Sequence, residues 1–293
     1  MRYPAIHRGL AHGNSRPIRG MYRMTGLWPV LFCLGFGLLV STLVRADPSS
    51  AAPAISIVID DLGKTLGPGK RVLALPGPVA CAFLPHQRFT PVLAEAAYRG
   101  SKEVLLHLPM DSVDGRRLDA GAVTLDMTER QFAQVVQESL ASVPFAVGIN
   151  NHMGSLLTRH PGHMLWLMQA MRREGPLLFV DSRTTAATVA RRLAVENDVP
   201  SLDRDVFLDH SLLEVDIAFQ FRRLLRLARE NGTALAIGHP HPQTLAYLEE
   251  QLPLLERNGI RLVSIKELIS IQQQGGSHTW QASSSPSRRA VKN

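Results

Sequence analysis

Asp60 and Asp61 stand side by side behind an apolar run, Ile55-Ser56-Ile57-Val58-Ile59, and Gly63 follows soon after. The run is mostly β-branched and reads as a buried strand. Two adjacent carboxylates repel, so in a shielded place the pair requires a proton or a cation between them. At the C-terminal end of an α/β strand they stand where that architecture keeps its catalytic groups. The alternative is that they start a turn or cap the next helix. Later apolar runs end in the same manner. They lead into His107-Leu108-Pro109-Met110-Asp111, Asn150-Asn151-His152-Met153-Gly154-Ser155, Asp181-Ser182-Arg183-Thr184, Asp203-Arg204-Asp205 with Leu208-Asp209-His210, and Gly238-His239-Pro240-His241-Pro242. One Asp with two or three His is a standard ligand set for zinc or a similar divalent ion. Asn side chains beside Gly154 and Ser155 suit the close approach of a ligand. Each ending also has a plain structural alternative: Asp181 as a helix N-cap, Gly-His-Pro-His-Pro as a rigid turn.

These residues need elements to hold them at one place. Short β-rich runs fall at residues 55–59, 79–84, 103–106, 145–149, 177–180, 233–237 and 261–265, with a weaker candidate near 199–202. Helix-like stretches lie at 90–99, 128–141, 161–173, 184–195, 212–230 and 243–257. Thr128-Glu129-Arg130-Gln131 has the form of a capping box, and Pro161 suits a first helical turn. Strand–helix alternation predicts a parallel sheet covered by helices. Seven or eight such units fit a single α/β domain, a distorted (β/α) barrel, with a doubly wound open sheet as the alternative.

The formal charge of +7 is concentrated at the ends of the 293-residue chain. Six arginines in residues 1–46 and three basic residues after Gly275, with no acid in either stretch, leave the body at −2. A near-neutral body offers nucleic acid no basic field. Residues 1–46 combine a basic leader with an apolar run, 27–44, and a Val44-Arg45-Ala46 cleavage pattern. They form either a cleaved signal peptide or a membrane anchor, and either way the body is periplasmic or otherwise extracytoplasmic. Residues 47–53 read as a linker, 54–270 as the domain and 271–293 as a disordered tail. Cys81 is then the body's single cysteine, a small core residue with no disulfide partner. No glycine-rich phosphate loop, Gly-x-Ser-x-Gly elbow or cysteine pair is present, which removes support for P-loop, hydride-transfer and serine-hydrolase chemistry. Metal-assisted hydrolysis remains.

The motifs carry a resemblance. Ile57-Val58-Ile59-Asp60-Asp61-Leu62-Gly63, Leu106-His107-Leu108-Pro109-Met110, Gly148-Ile149-Asn150-Asn151-His152-Met153-Gly154-Ser155, Val180-Asp181-Ser182-Arg183-Thr184, Arg204-Asp205-Val206-Phe207-Leu208-Asp209 and Ile237-Gly238-His239-Pro240, in that order over 54–270, resemble the divergent polysaccharide deacetylase family. That family is similar to carbohydrate esterases that remove N- or O-acetyl groups from chitin-like and peptidoglycan-like glycans. The resemblance implies a distorted (β/α) barrel, a divalent metal, zinc by preference, and a polysaccharide substrate. It implies Asp61 as a metal ligand, Asp60 as general base and His239 as catalytic acid; with His107 as the first His ligand and no His four residues on, the second His ligand comes from elsewhere in the chain, and His152 is the first choice. If His239 fills the metal site instead, it and His152 exchange roles. Asn151, Asp181 and Arg183 become candidate substrate contacts, with Asp181 alternatively orienting a ligand His; His210 and His241 stay outside the ligand set. Two motifs of the broader group are not matched: His107 is followed four residues on by Asp111 rather than His, and there is no clear Arg-x-Pro. A second function therefore stands beside the hydrolase, a non-catalytic glycan- or partner-binding module on the same metal-containing barrel.

Overall fold

A computed structural model of the chain describes residues 52–283. The predicted export segment, most of the linker and the end of the tail lie outside the described residues. Among the described residues no helix is long and apolar enough to cross a membrane. The strands are β1 (Ala54–Leu62), β2 (Ala80–Phe83), β3 (Val104–Met110), β4 (Ala146–Met153), β5 (Leu178–Asp181), β6 (Ser201–Asp203), β7 (Val206–Phe207), β8 (Thr233–Gly238) and β9 (Arg261–Leu262). The helices are α1 (Leu66–Ala74), α2 (Thr90–Arg99), α3 (Glu129–Ala141), α4 (Pro161–Glu174), α5 (Ala190–Glu196), α6 (Glu214–Asn231), α7 (Pro242–Gln251) and α8 (Ile265–Ser283).

The strand order is β6-β5-β4-β3-β2-β1-β8-β7, and the pairings along it are parallel. Consecutive strands pair in order from β1 to β6, β7 pairs β8, and β1 joins β8. A doubly wound sheet would instead reverse direction at a switch point. The sheet is therefore a (β/α) barrel, opened between β6 and β7. β9 adds two residues to the early part of β1.

Alternation along each strand divides the core into two clusters. Ile55, Ile57, Ile59, Leu106, Ile149 and Phe179 face the helical layer, packed with residues such as Leu93, Phe132, Leu167 and Phe221. Val58, Leu105, Val180 and Ile237 face the concave side, where Ile265, Leu268 and Ile269 of α8 pack against them. Continuing the second set by two residues gives Asp60, His107, Ser182 and His239. Pairing of His107 with Asn150 in register places Asn150, and with it His152, on that same face. Apolar residues fill the lower concave face, and polar ones finish it at the C-terminal end.

Several elements differ from their sequence reading. Helix α1 was not predicted, because Gly67-Pro68-Gly69 masks it; Pro68 falls in the first turn, and a Cβ at Gly69 would stand 2.4 Å from Leu93 Cδ1. Helix α5 starts six residues later than predicted. Thr185 Oγ1 accepts from Ala187 N and Thr188 Oγ1 donates to Asp181, so hydroxyls hold Thr184–Val189 as a loop. Helix α8 runs past residue 271, the expected start of the tail, to Ser283; Ile271 packs on the concave cluster and Gln272 Nε2 donates to Thr233 Oγ1 at 3.1 Å. The capping box closes as read, with Thr128 N donating to Gln131 Oε1 at 2.9 Å.

Candidate active site

In a regular strand Asp60 and Asp61 would point to opposite faces. The β1–β2 register breaks between Ile59 and Leu62, and Asp61 takes a left-handed backbone, φ 58°. Asp tolerates that region better than most side chains. The irregularity turns Asp61 back toward the concave face, so both carboxylates reach the site.

Asn150 sets the hydrogen-bond pattern beneath them. It is fully buried, and its Nδ2 donates to Asp60 Oδ1 at 2.8 Å. A carboxylate only accepts, so this contact fixes which way the amide points. Its Oδ1 then faces His107 Nδ1 at 3.0 Å, and that nitrogen carries the donated proton. In the neutral ring the other nitrogen of His107, Nε2, keeps the lone pair. It lies 3.4 Å from Asp61 Oδ1 and 3.0 Å from His152 Nδ1, which is itself 3.1 Å from Asp61 Oδ1.

Three ligand atoms thus face one point. Asp61 Oδ1 is buried and accepts no hydrogen bond. Ligand atoms bound tetrahedrally at 2.0–2.1 Å stand roughly 3.3–3.4 Å apart, close to these separations. Asp61, His107 and His152 fit a divalent ion on donor chemistry, spacing and the orphaned carboxylate oxygen together. Burial works against charge on His107, but Asp60 and Asp61 outweigh it and raise its pKa. The proton this favours is the one a bound cation would displace. For Asp61 burial is the largest influence and acts upward, yet the two histidines overcome it and hold the carboxyl well below its usual range.

A second group, Asp209, His239 and His241, also has metal-capable atoms close together. Here the carboxylate is already satisfied. Asp209 Oδ2 accepts from His239 N at 2.6 Å and from Thr244 Oγ1 at 2.8 Å, and Oδ1 faces His239 Nδ1 at 3.0 Å. Both carboxylate oxygens have partners, so the arrangement is that of a carboxylate holding an imidazolium. Burial alone would lower His239. Its hydrogen bond to Asp209 and the charges of Asp60, Asp209 and Asp61 prevail and raise it to about 9. Asp60 is driven upward by burial, with His107, His239 and Asn150 opposing.

The candidate substrate contacts fall elsewhere. Asn151 shares the parity of Ile149 and turns away from the concave face. Its Oδ1 accepts from Ser182 N and its Nδ2 donates to Met153 O, both at 2.8 Å, which ties the β4 and β5 ends together. Asp181 shares the parity of Phe179; its carboxylate accepts from Arg183 N at 2.8 Å and Thr188 Oγ1 at 2.7 Å. Arg183 is exposed, with φ 47°, and lines a surface cleft with Thr188 and Arg191. His210 is exposed, and Asp111 accepts from Leu125 N at 2.8 Å rather than entering the cluster. Sequence reasoning gave no separate role to Asn150 or Asp209. The signal for Asn150 was available: it stands two residues from His152, hence on its face, whereas Asn151 does not. Asp209 had none, since only the fold brings the β7 and β8 ends together.

Comparison with other proteins bears on the family and the fold. The chain is 37% identical over 236 residues to the uncharacterized protein YibQ of Escherichia coli strain K12, covering 80% of this chain and 73% of that one. It is 36% identical over 231 residues to an uncharacterized protein of Haemophilus influenzae, covering 79% and 82%. The crystal structure of uncharacterized protein ATU2773 from Agrobacterium tumefaciens C58 has the same fold, with a TM-score of 0.71 at 21% identity over 75% of this chain and 90% of that one. Residues 57–269 match the divergent polysaccharide deacetylase model, and the chain belongs to that family.

Proposed function

We propose that the protein is an exported, metal-dependent hydrolase that removes acetyl groups from a cell-wall-type or chitin-like polysaccharide. One observation carries the reading: three ligand atoms converge on one point, one of them a buried carboxylate oxygen that accepts no hydrogen bond, with a histidine held protonated nearby. Family membership supports the polysaccharide substrate, and the basic leader with its apolar run supports export. A divalent ion with zinc's preferences, held by Asp61, His107 and His152, would supply an activated water and a Lewis acid for the acyl carbonyl.

The chain's own groups do the proton work. Asp60 Oδ1 is committed to Asn150, so Oδ2, which lies 3.6 Å from His107 Nε2, is the oxygen that takes the proton from water. Burial holds Asp60 above the ordinary carboxylate range, which strengthens it as a base. His239 Nδ1 is committed to Asp209, so Nε2–H is the proton given to the leaving amine or alkoxide. Its pKa of about 9 keeps that proton in place at neutral pH. Phe207 stands edge-on to the His239 ring at 5.2 Å and restricts its rotation.

The test is Asp60→Asn, assayed for acetate release from acetylated chitin- and peptidoglycan-like oligosaccharides and for metal content. Acetate release should fall about 10²- to 10⁴-fold, the usual worth of general acid–base catalysis, with metal retained. A wild type that binds metal and glycan but frees no acetate would leave the binding-module reading in its place.

A further inference from the structure

Asp119 lies in the long connection between β3 and α3, and no sequence motif singles it out. The connection is firmly held. Val123 N donates to Pro109 O at 2.9 Å and Asp111 N to Val123 O at 3.2 Å, which adds a short parallel bridge beside β3. Ser139 of α3 donates to Gly121 O at 3.1 Å. Gly121 adopts φ 77°, and a Cβ there would meet Ser139 Oγ at 2.6 Å, so the turn admits only glycine without rearrangement. Two residues earlier, Asp119 Oδ2 sits 3.5 Å from His152 Nε2 and 3.1 Å from Lys64 Nζ. Lys64 is three residues past Asp61 and anchors the carboxylate from the β1 side.

His152 therefore has a different acidic partner on each nitrogen: Asp61 on Nδ1, Asp119 on Nε2. We propose that Asp119 is a positioning residue of the metal site. Its carboxylate keeps the His152 proton on Nε2, so that the Nδ1 lone pair faces Asp61 and His107. Asn150 does the equivalent for His107 from the opposite side, as a neutral amide. Carboxylate partners of metal-bound histidines in general also strengthen the imidazole as a ligand, which a neutral amide does less. The inference rests on the reading of Asp61, His107 and His152 as metal ligands.

The experiment has two readouts. Co(II) titration of the purified protein, followed by visible absorption, should show Asp119→Ala binding about 10- to 100-fold more weakly than wild type. Asp119→Asn should recover part of the loss, since its amide oxygen keeps an acceptor beside Nε2 without the charge. In the metal-free protein, ¹⁵N spectra taken where the ring is neutral should show His152 as the Nε2–H tautomer in wild type and a mixture in Asp119→Ala. Unchanged Co(II) affinity in Asp119→Ala, or an unchanged tautomer, would overturn the assignment. Should wild type take up no Co(II), the metal reading itself falls, and the tautomer measurement still decides whether Asp119 governs His152.

Discussion

In the metal-free protein, Asp209→Asn should lower the pKa of His239 from about 9 to between about 7 and 8. Asp209 Oδ1 lies 3.0 Å from His239 Nδ1, the carboxylate is fully shielded, and the imidazole is 18% exposed. An opposite charge this close and this dry favours the ionised ring by roughly 1–3 pKa units. Part of the elevation comes from Asp60 and Asp61, which the substitution leaves in place. A drop of about 1–2 units, or about 1.4–2.7 kcal/mol, is the share expected of Asp209. The assay is an NMR titration of the His239 ring, which needs no substrate. Stability should follow. A folded pKa of about 9 against an ordinary value near 6.5 means that the native state holds the proton more tightly. The resulting stabilisation is fully present below the ordinary value and is lost as pH rises through about 9. Asp209→Asn should flatten that fall, at some cost from leaving a buried donor poorly matched. If the variant titrates where wild type does, Asp209 is not what holds the proton, and the account of His239 as acid loses its basis.

Two further outcomes are expected. Asn150→Leu removes both the donor to Asp60 and the acceptor for His107, and metal affinity, read by chelator competition, should fall about 10- to 100-fold. Asp181→Ala leaves Thr188 Oγ1 and Arg183 N without their buried acceptor; denaturant unfolding should show a loss of about 1–3 kcal/mol while metal affinity is unchanged.

The fold was legible because the strands are short, β-branched and separated by periodic helices, and because polar residues end so many of them. Helix α1 was not, since a Gly-Pro-Gly run looks like a turn until Leu93 is seen to occupy the space over Gly69. The converging acids and histidines were legible as types at strand ends. Their directions were less so. Strand alternation distinguishes Asn150 from Asn151 and sends Asp181 toward the helical layer with Phe179, but the irregularity at Asp61 breaks that rule where two carboxylates are needed together. Asp119 and Asp209 reach their histidines only through tertiary structure, and no spacing in the chain announces them.

The opening between β6 and β7 leaves this sheet with two free edges, which a closed barrel would not have. Unpaired edges invite pairing with another chain. These two are three and two residues long, too short to template much of a strand. Side chains also occupy the junction. Asp205 Oδ2 accepts from Leu235 N at 2.8 Å, and Arg204 crosses to the end of β5, donating to Ser182 O at 2.6 Å and Arg183 O at 2.9 Å. At the same place backbone bonds run from Arg204 N to Asp181 O at 3.0 Å and from Asp205 N to Leu235 O at 2.9 Å, so backbone, carboxylate and guanidinium together tie this connection to β5 and β8, and the charged groups discourage edge-to-edge aggregation.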